Sequence, residues 1–236
     1  MRLDEALGRN YPFSVPTIRF FTWQGHSISL GRNQIPEKRL TLELCSRDGI
    51  TVVRRPTGGK ELLHGHDLCY SVLWPVEKSG IAVEAGWFFG RINDILTAAL
   101  KRLNIRALWK KDIGRSGAVK GPCFLQTDRG EITVDGRKLI ASAQRVFEKV
   151  LLQQGSMPLR ESSINLADYL KEFNRVPMKS LLESSSTSFF EHVDETISLN
   201  SIVDVFKKEF QRSFGVGSMP IEDYFVKRIN VFSKQK

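Results

Sequence analysis

Glu131-Ile-Thr-Val-Asp-Gly-Arg-Lys138, followed at once by Ile140-Ala-Ser-Ala-Gln144, decides the fold class. Asp135-Gly136 sits between two segments of strand character. That dipeptide is the strongest short-range hairpin signal, because a two-residue turn needs φ above zero at both positions. Glu131 to Val134 and Lys138 to Gln144 are therefore expected as antiparallel strands. A second tight turn is expected at Gly25-His26, between strands Thr17 to Trp23 and Ser27 to Leu30. Hairpins of this kind exclude a purely parallel sheet.

Further strands are expected at Ile50 to Arg54, Asp67 to Trp74 and Lys149 to Gln153, the last ending at Gly155-Ser156. Helices punctuate them. Pro36 opens one that continues over Glu37 to Arg47 and closes at Asp48-Gly49. Glu84 to Leu103 carries Phe88, Ile92, Ile95, Leu96, Ala99 and Leu103 on one face. Ser162 to Leu182 is partly helical, with a break near Pro177. Leu199 to Phe214 turns Ile202, Val205, Phe206, Phe210 and Phe214 inward and stops at Gly215. The expectation is an α/β (α+β) chain with a mixed, largely antiparallel β-sheet flanked by helices. Residues 1–236 read as a single domain, with 174–236 as a mainly helical C-terminal subregion.

The 236 residues are 41% hydrophobic and 26% charged, the balance of a globular chain. No apolar run approaches the roughly 18 residues of a membrane helix, and Met1-Arg-Leu-Asp-Glu-Ala-Leu7 is not a secretory signal. Cys45, Cys69 and Cys123 are an odd number without CxxC spacing, which argues against a disulfide framework or a zinc knuckle and for a reducing cytoplasm. The formal charge of +9 calls for an acidic partner. The cations are scattered and no nucleic-acid-binding signature accompanies them, so the partner is read as acidic protein and neither nucleic acid nor membrane.

Three places carry chemistry. Arg54-Arg-Pro-Thr-Gly-Gly-Lys60 puts paired glycines after arginines, so backbone amides can approach a ligand and a guanidinium can clamp an anion. His64-Gly-His-Asp67 has too few ligands near it for a metal site. His64 is read as orienting substrate or a loop, His66 as exposed, and Cys45 and Cys69 as inert core thiols. Cys123, in Gly121-Pro122-Cys123-Phe124, follows a proline and so lies in a bend. A free thiol has a pKa near 8.5, and a cation beside it favours the nucleophilic thiolate. Lys138, just past the Asp135-Gly136 turn, is either that cation or a solvated hairpin lysine.

Together these segments resemble the lipoate and octanoate transfer family, whose fold is shared with biotin protein ligases. The matching pieces are Met1 to Leu7, Trp23 with Ser29-Leu-Gly-Arg-Asn-Gln34, Arg54 to Lys60 with Leu63-His64 and Asp67 to Val72, Cys123-Phe124, Asp135-Gly-Arg-Lys138 with Ala141-Ser-Ala-Gln144, and Gln153-Gln-Gly-Ser156. They span roughly residues 1 to 185 in the family's order. Cys123 and Lys60 resemble the cysteine-dependent octanoyltransferase branch. Gly31-Arg-Asn-Gln34 is closer to the ligases, and Ile140 stands where the family has glycine.

The resemblance implies an acyltransferase of lipoate biosynthesis. Octanoate would pass from acyl carrier protein to Cys123 as a thioester, and then to the lysine of a lipoyl domain (glycine cleavage H protein or a 2-oxoacid dehydrogenase E2). It implies Cys123 and Lys138 as catalytic residues. Arg55, Thr57, Gly58, Gly59, Lys60, His64, Ser142 and Ala143 would bind substrate, with the oxyanion held by amides near Ser142-Ala143 or Gly58-Gly59. Lys138 or His64 would accept the proton of the incoming amine. No metal or cofactor is implied, since ATP and magnesium belong to the ligases. Alternatives at this stage are an ATP-dependent lipoate-protein ligase, an octanoyl amidotransferase between lipoyl domains, and a non-catalytic acyl-binding protein.

Overall fold

The computed structural model describes residues 1–12, 14–76, 81–109, 131–171, 180, 182 and 184–215, with backbone alone at 81–84. Cys123 and its neighbours Gly121, Pro122 and Phe124 lie outside the described residues, as does the break at Pro177.

The strands are β1 (Thr17–Phe21), β2 (Ser27–Leu30), β3 (Thr51–Arg54), β4 (Leu62–His64), β5 (Asp67–Pro75), β6 (Leu108–Trp109), β7 (Ile132–Val134), β8 (Arg137–Val146) and β9 (Val150–Pro158). Six form one sheet in the order β1-β5-β9-β8-β7-β6, antiparallel throughout. The other three form a small mixed sheet, β3-β2-β4, with β2 parallel to β3 and antiparallel to β4. The expected mixed, largely antiparallel architecture is what the chain adopts.

The helices are α1 (Arg2–Arg9), α2 (Pro36–Arg39), α3 (Leu42–Arg47), α4 (Ile81–Arg102) and α5 (Leu199–Phe214), with 3-10 turns at Leu166–Tyr169 and Phe189–Glu191. α4 and α5 cover one face of the large sheet. Phe88, Ile92, Ile95, Leu96 and Ala99 of α4 meet Ile202, Phe206 and Phe210 of α5 over Leu68, Tyr70, Val72, Ile140 and Met157. α5 starts at Ser198, whose hydroxyl accepts from the Ser201 amide, and ends at Gly215 with φ +64°. Only an achiral residue takes that left-handed cap cheaply. Arg102 of α4 donates to Glu209 of α5 at 2.5 Å.

The hairpin that decided the fold class is built as expected. Asp135 and Gly136 both have positive φ, +50° and +79°, the requirement of the tight two-residue turn. Its ladder is irregular one step later. Thr133 pairs with Lys138, but Ile132 pairs with Ile140, so Leu139 is an extra residue in β8. In a regular strand Lys138 and Ile140 would share a face. The bulge breaks that alternation. Ile140 and Leu139 join the apolar core, and Lys138 turns away from it toward Glu131.

Four expectations are corrected. The turn at Gly25 does not close a hairpin: β1 pairs with β5 in the large sheet, and β2 pairs with β3 and β4 in the small one. The helix from Pro36 to Arg47 is two pieces, because Leu40 leaves the helix to bridge Leu170. β9 continues to Pro158 instead of ending at Gly155. Gly155 is not a turn there: a Cβ on it would lie 2.2 Å from the Tyr70 ring, so glycine lets the ring cross the strand. β4 was not anticipated, since three residues between two loops carry little periodicity.

Candidate active site

A cavity of about 210 Å³ lies where the two sheets meet. The small sheet contributes Ser29, Leu62 and His64. The large sheet contributes Phe21 and Cys69, Ala141 and Ala143 of β8, and Gln154 and Ser156 of β9. Ala141 and Ala143 flank Ser142, and the smallness of all three leaves room along this wall. Met1 and Glu131 complete the rim.

The glycine loop between β3 and β4 forms one wall. Arg55 is buried and organises it, donating from Nε and Nη2 to the Gly58 carbonyl (3.1 and 2.8 Å) and from Nη2 to that of Lys60 (2.7 Å). Its Nη1 reaches the Ser29 carbonyl (3.1 Å) and hydroxyl (3.2 Å). Gly59 has φ +94°, and a Cβ there would fall 2.7 Å from the Arg55 guanidinium. A Cβ on Gly31 would lie 2.0 Å from the Gly59 carbonyl oxygen, so the two loops touch backbone to backbone. Glu61, fully buried, accepts from Gln34 at 2.8 Å and pairs with Arg39. Thr57 donates to Gln154 (2.9 Å), and Gln154 donates to Asp4 of α1 (2.7 Å), itself fully buried. Asp4 also accepts from Arg19 and Ser71. The N-terminal helix thus braces the loop through one carboxylate.

Lys138 is not a solvated hairpin lysine. It is fully buried, and its ammonium lies 2.6 Å from the carboxylate of Glu131, which lines the cavity. Tyr70, also at the cavity, donates or accepts a 2.8 Å bond with Ser142 and accepts one from Gln153 at 3.1 Å. Burial pushes the Tyr70 phenol up to about 12.

A second polar group is built around Asp67. Its Oδ2 lies 2.6 Å from His64 Nδ1 and accepts from Ser156 (2.6 Å) and from the Cys69 thiol (3.1 Å). Burial alone would raise the Asp67 carboxyl, but the bonds from His64, Ser156 and Cys69 hold it below the usual carboxylate range. Burial, then the Asp67 charge, pushes the Cys69 thiol well up, which suits an inert thiol. His64, Asp67 and Cys69 offer one nitrogen, one oxygen and one sulfur within 4.8 Å of one another. Here those atoms are bonded among themselves, and His64 Nε2 is bonded to Ser29 Oγ at 2.7 Å.

Of the residues singled out in the sequence, Arg55, Thr57, Gly59, Lys60, His64, Ser142 and Ala143 line this cavity. Gly58 supports it through its carbonyl, and Lys138 adjoins it through Glu131. Cys123 lies outside the described residues. Sequence reasoning missed Ser29, Glu131 and Asp67 as members of the site. The model of the lipoyl protein ligase A/B catalytic domain matches residues 1–211. The chain belongs to that family. Within the family it is 30% identical to octanoyltransferase LipM of Bacillus cereus over 233 residues, covering 94% of this chain and 84% of that relative. It is 29% identical to the LipM of Staphylococcus aureus, with the same coverage. Its fold is also that of solved structures at lower identity. An ATP-bound lipoate-protein ligase A superposes with a TM-score of 0.73 at 21% identity, over 92% of this chain and 80% of that one. A bi-partite lipoate protein ligase of Thermoplasma acidophilum gives 0.72 at 19%, over 92% and 78%.

Proposed function

We propose that this family member is an octanoyltransferase of lipoate biosynthesis that works through a Cys123 thioester. The observation that carries the reading is the likeness to LipM octanoyltransferases over nearly the whole chain. The cavity suits an acyl chain: small side chains on one wall, apolar Phe21 and Leu62 on others, and polar groups gathered at few points. The six methylenes of an octanoyl chain buried there would contribute about 5 kcal/mol, at about 0.8 kcal/mol each.

The Cys123 thiolate attacks the octanoyl thioester of acyl carrier protein. Lys138, held by Glu131 beside the cavity, supplies the positive charge that favours the thiolate. The carrier thiol leaves, and the octanoyl group rests on Cys123. Arg55 acts indirectly in this scheme, by setting the Thr57 to Lys60 loop that closes over the acyl group. The lysine of a lipoyl-domain protein then attacks, and the amide forms as the cysteine departs. The acid arrives already activated, so no nucleotide enters either step. The basic surface would favour acidic carriers, and salt would weaken both encounters.

Intact-mass measurement tests this. After incubation with octanoyl-acyl carrier protein and no ATP, the protein should gain one octanoyl group, and Cys123→Ser should not. Absence of that gain, together with lipoyl-domain modification from free octanoate and ATP, would assign ligase chemistry instead.

A further inference from the structure

Ser29, His64 and Asp67 form a one-way hydrogen-bond chain that opens onto the cavity. Asp67 can only accept, so the proton between it and His64 Nδ1, 2.6 Å away, sits on the imidazole. That leaves a lone pair on Nε2 in the neutral ring. Ser29 Oγ accepts from Arg55 at 3.2 Å, so its own hydrogen is directed at His64 Nε2, 2.7 Å away. The ring plane is fixed by Trp23, stacked at 4.4 Å and 22°. Asp67 is held in place by the Gly65 amide (3.1 Å) and by Ser156. The geometry is that of a hydroxyl, an imidazole acceptor and an orienting carboxylate, contributed by β2, β4 and β5.

The reaction proposed above needs such an acceptor. A lysine amine that attacks a thioester must shed protons, and its free pKa is about 10.4. Lys138 offers only donors in its ammonium form and is engaged with Glu131. Cys69 donates to Asp67. The Ser29 hydroxyl and His64 both line the cavity.

We propose that Ser29, His64 and Asp67 are the proton relay of the second half-reaction, the discharge of the acyl-enzyme onto the acceptor lysine; this rests on the octanoyltransferase reading. The lysine loses one proton to solvent as it enters. Its nitrogen bonds to the thioester carbonyl carbon, and the carbon–sulfur bond breaks, with Cys123 leaving as thiolate. The second proton passes from nitrogen to Ser29 Oγ while the Ser29 proton passes to His64 Nε2. Asp67 stabilises the imidazolium, which returns its proton to solvent. Ser29 touches the substrate amine, His64 stores the proton, and Asp67 is a positioning residue. Loading of Cys123 from a thioester liberates no ammonium proton, so the relay serves discharge alone.

The two half-reactions can be timed separately by quench and intact mass. Ser29→Ala and His64→Gln alter the lining of the acyl cavity, so loading from octanoyl-acyl carrier protein should slow, but by no more than a few-fold. Their discharge to a lipoyl domain should slow by about a hundredfold, the usual scale of general base catalysis. Discharge to hydroxylamine, a nucleophile already neutral at neutral pH, should stay within a few-fold of wild type and so report an intact site. Equal slowing of loading and discharge, or normal discharge to the lipoyl domain, would overturn the relay. Wild-type protein that never loads would overturn the octanoyltransferase reading along with it.

Discussion

Replacing Gly155 by alanine should destabilise this protein, although the same change in a strand normally gains about 0.5–1 kcal/mol. Gly155 has no left-handed φ, so backbone strain does not enter. The outcome rests on Tyr70. An added Cβ would lie 2.2, 2.6 and 2.8 Å from its Cε1, Cζ and hydroxyl oxygen. The ring is buried in the core beneath α4 and borders the cavity, and it cannot tilt away without losing its bonds to Ser142 and Gln153. Overpacking costs about 1–3 kcal/mol, and the two hydrogen bonds about 1 kcal/mol each. The sum is a loss of about 3–5 kcal/mol, or about 2–4 kcal/mol once the ordinary strand gain is subtracted. With a urea slope of about 3 kcal/mol/M the unfolding midpoint should fall by about 1 M. Tyr70→Leu removes the obstacle, so the double variant Gly155→Ala/Tyr70→Leu should be more stable than the sum of the single losses by about 1–3 kcal/mol. A neutral or stabilising Gly155→Ala, or strict additivity in the cycle, would refute the close-approach account of this glycine.

Glu131→Gln leaves the Lys138 ammonium buried beside a neutral amide and should cost about 3–5 kcal/mol in urea unfolding; Lys138→Met added to it should recover part of the loss, and a single variant within about 1 kcal/mol of wild type would contradict the pairing. Gly31→Ala places a methyl 2.0 Å from the Gly59 carbonyl, so the glycine loop must move; thioester formation on Cys123 should slow about a hundredfold while far-ultraviolet circular dichroism is retained. The Tyr70 phenol ionises near 12 in the folded chain and near 10 in the unfolded one, so its contribution is complete below about pH 10 and is lost as pH rises toward about 12. That loss is on the order of 3 kcal/mol, and urea midpoints at about pH 9 and about pH 11 should differ less in Tyr70→Phe than in wild type.

What could be read in advance was local. Asp135-Gly136 carries its turn in two residues, and Gly215 carries a helix stop in one, so both were legible. The faces of α4 and α5 repeat over several turns and were equally plain. What escaped depends on partners distant in the chain. Leu40 leaves its helix because of Leu170, and Gly155 looks like a strand end until Tyr70 crosses it. Ser29 meets His64 across 35 positions, and no periodicity marks that meeting. His64 was singled out, but Asp67 was weighed only as a metal ligand and as the start of a strand, not as the partner of His64. Lys138 was left between two environments, and the choice is made by Glu131 together with a bulge that no propensity predicts.

The bulge at Leu139 lets two residues that lie two apart in the chain serve opposite sides of one strand. Lys138 opposes Thr133 and Ile140 opposes Ile132, and those partners are consecutive in β7, so the ammonium keeps to one side and the isoleucine to the other. Removing Leu139 would make Lys138 and Ile140 neighbours, and neighbours in a regular strand also alternate, so each would keep its side. Straightening the ladder with Leu139 retained is the damaging change. Ile140 would then share a face with Lys138, and either the charge would enter the helical core or the isoleucine would leave it. The extra residue thus lets a short hairpin and the long pairing of β8 with β9 each keep its own register.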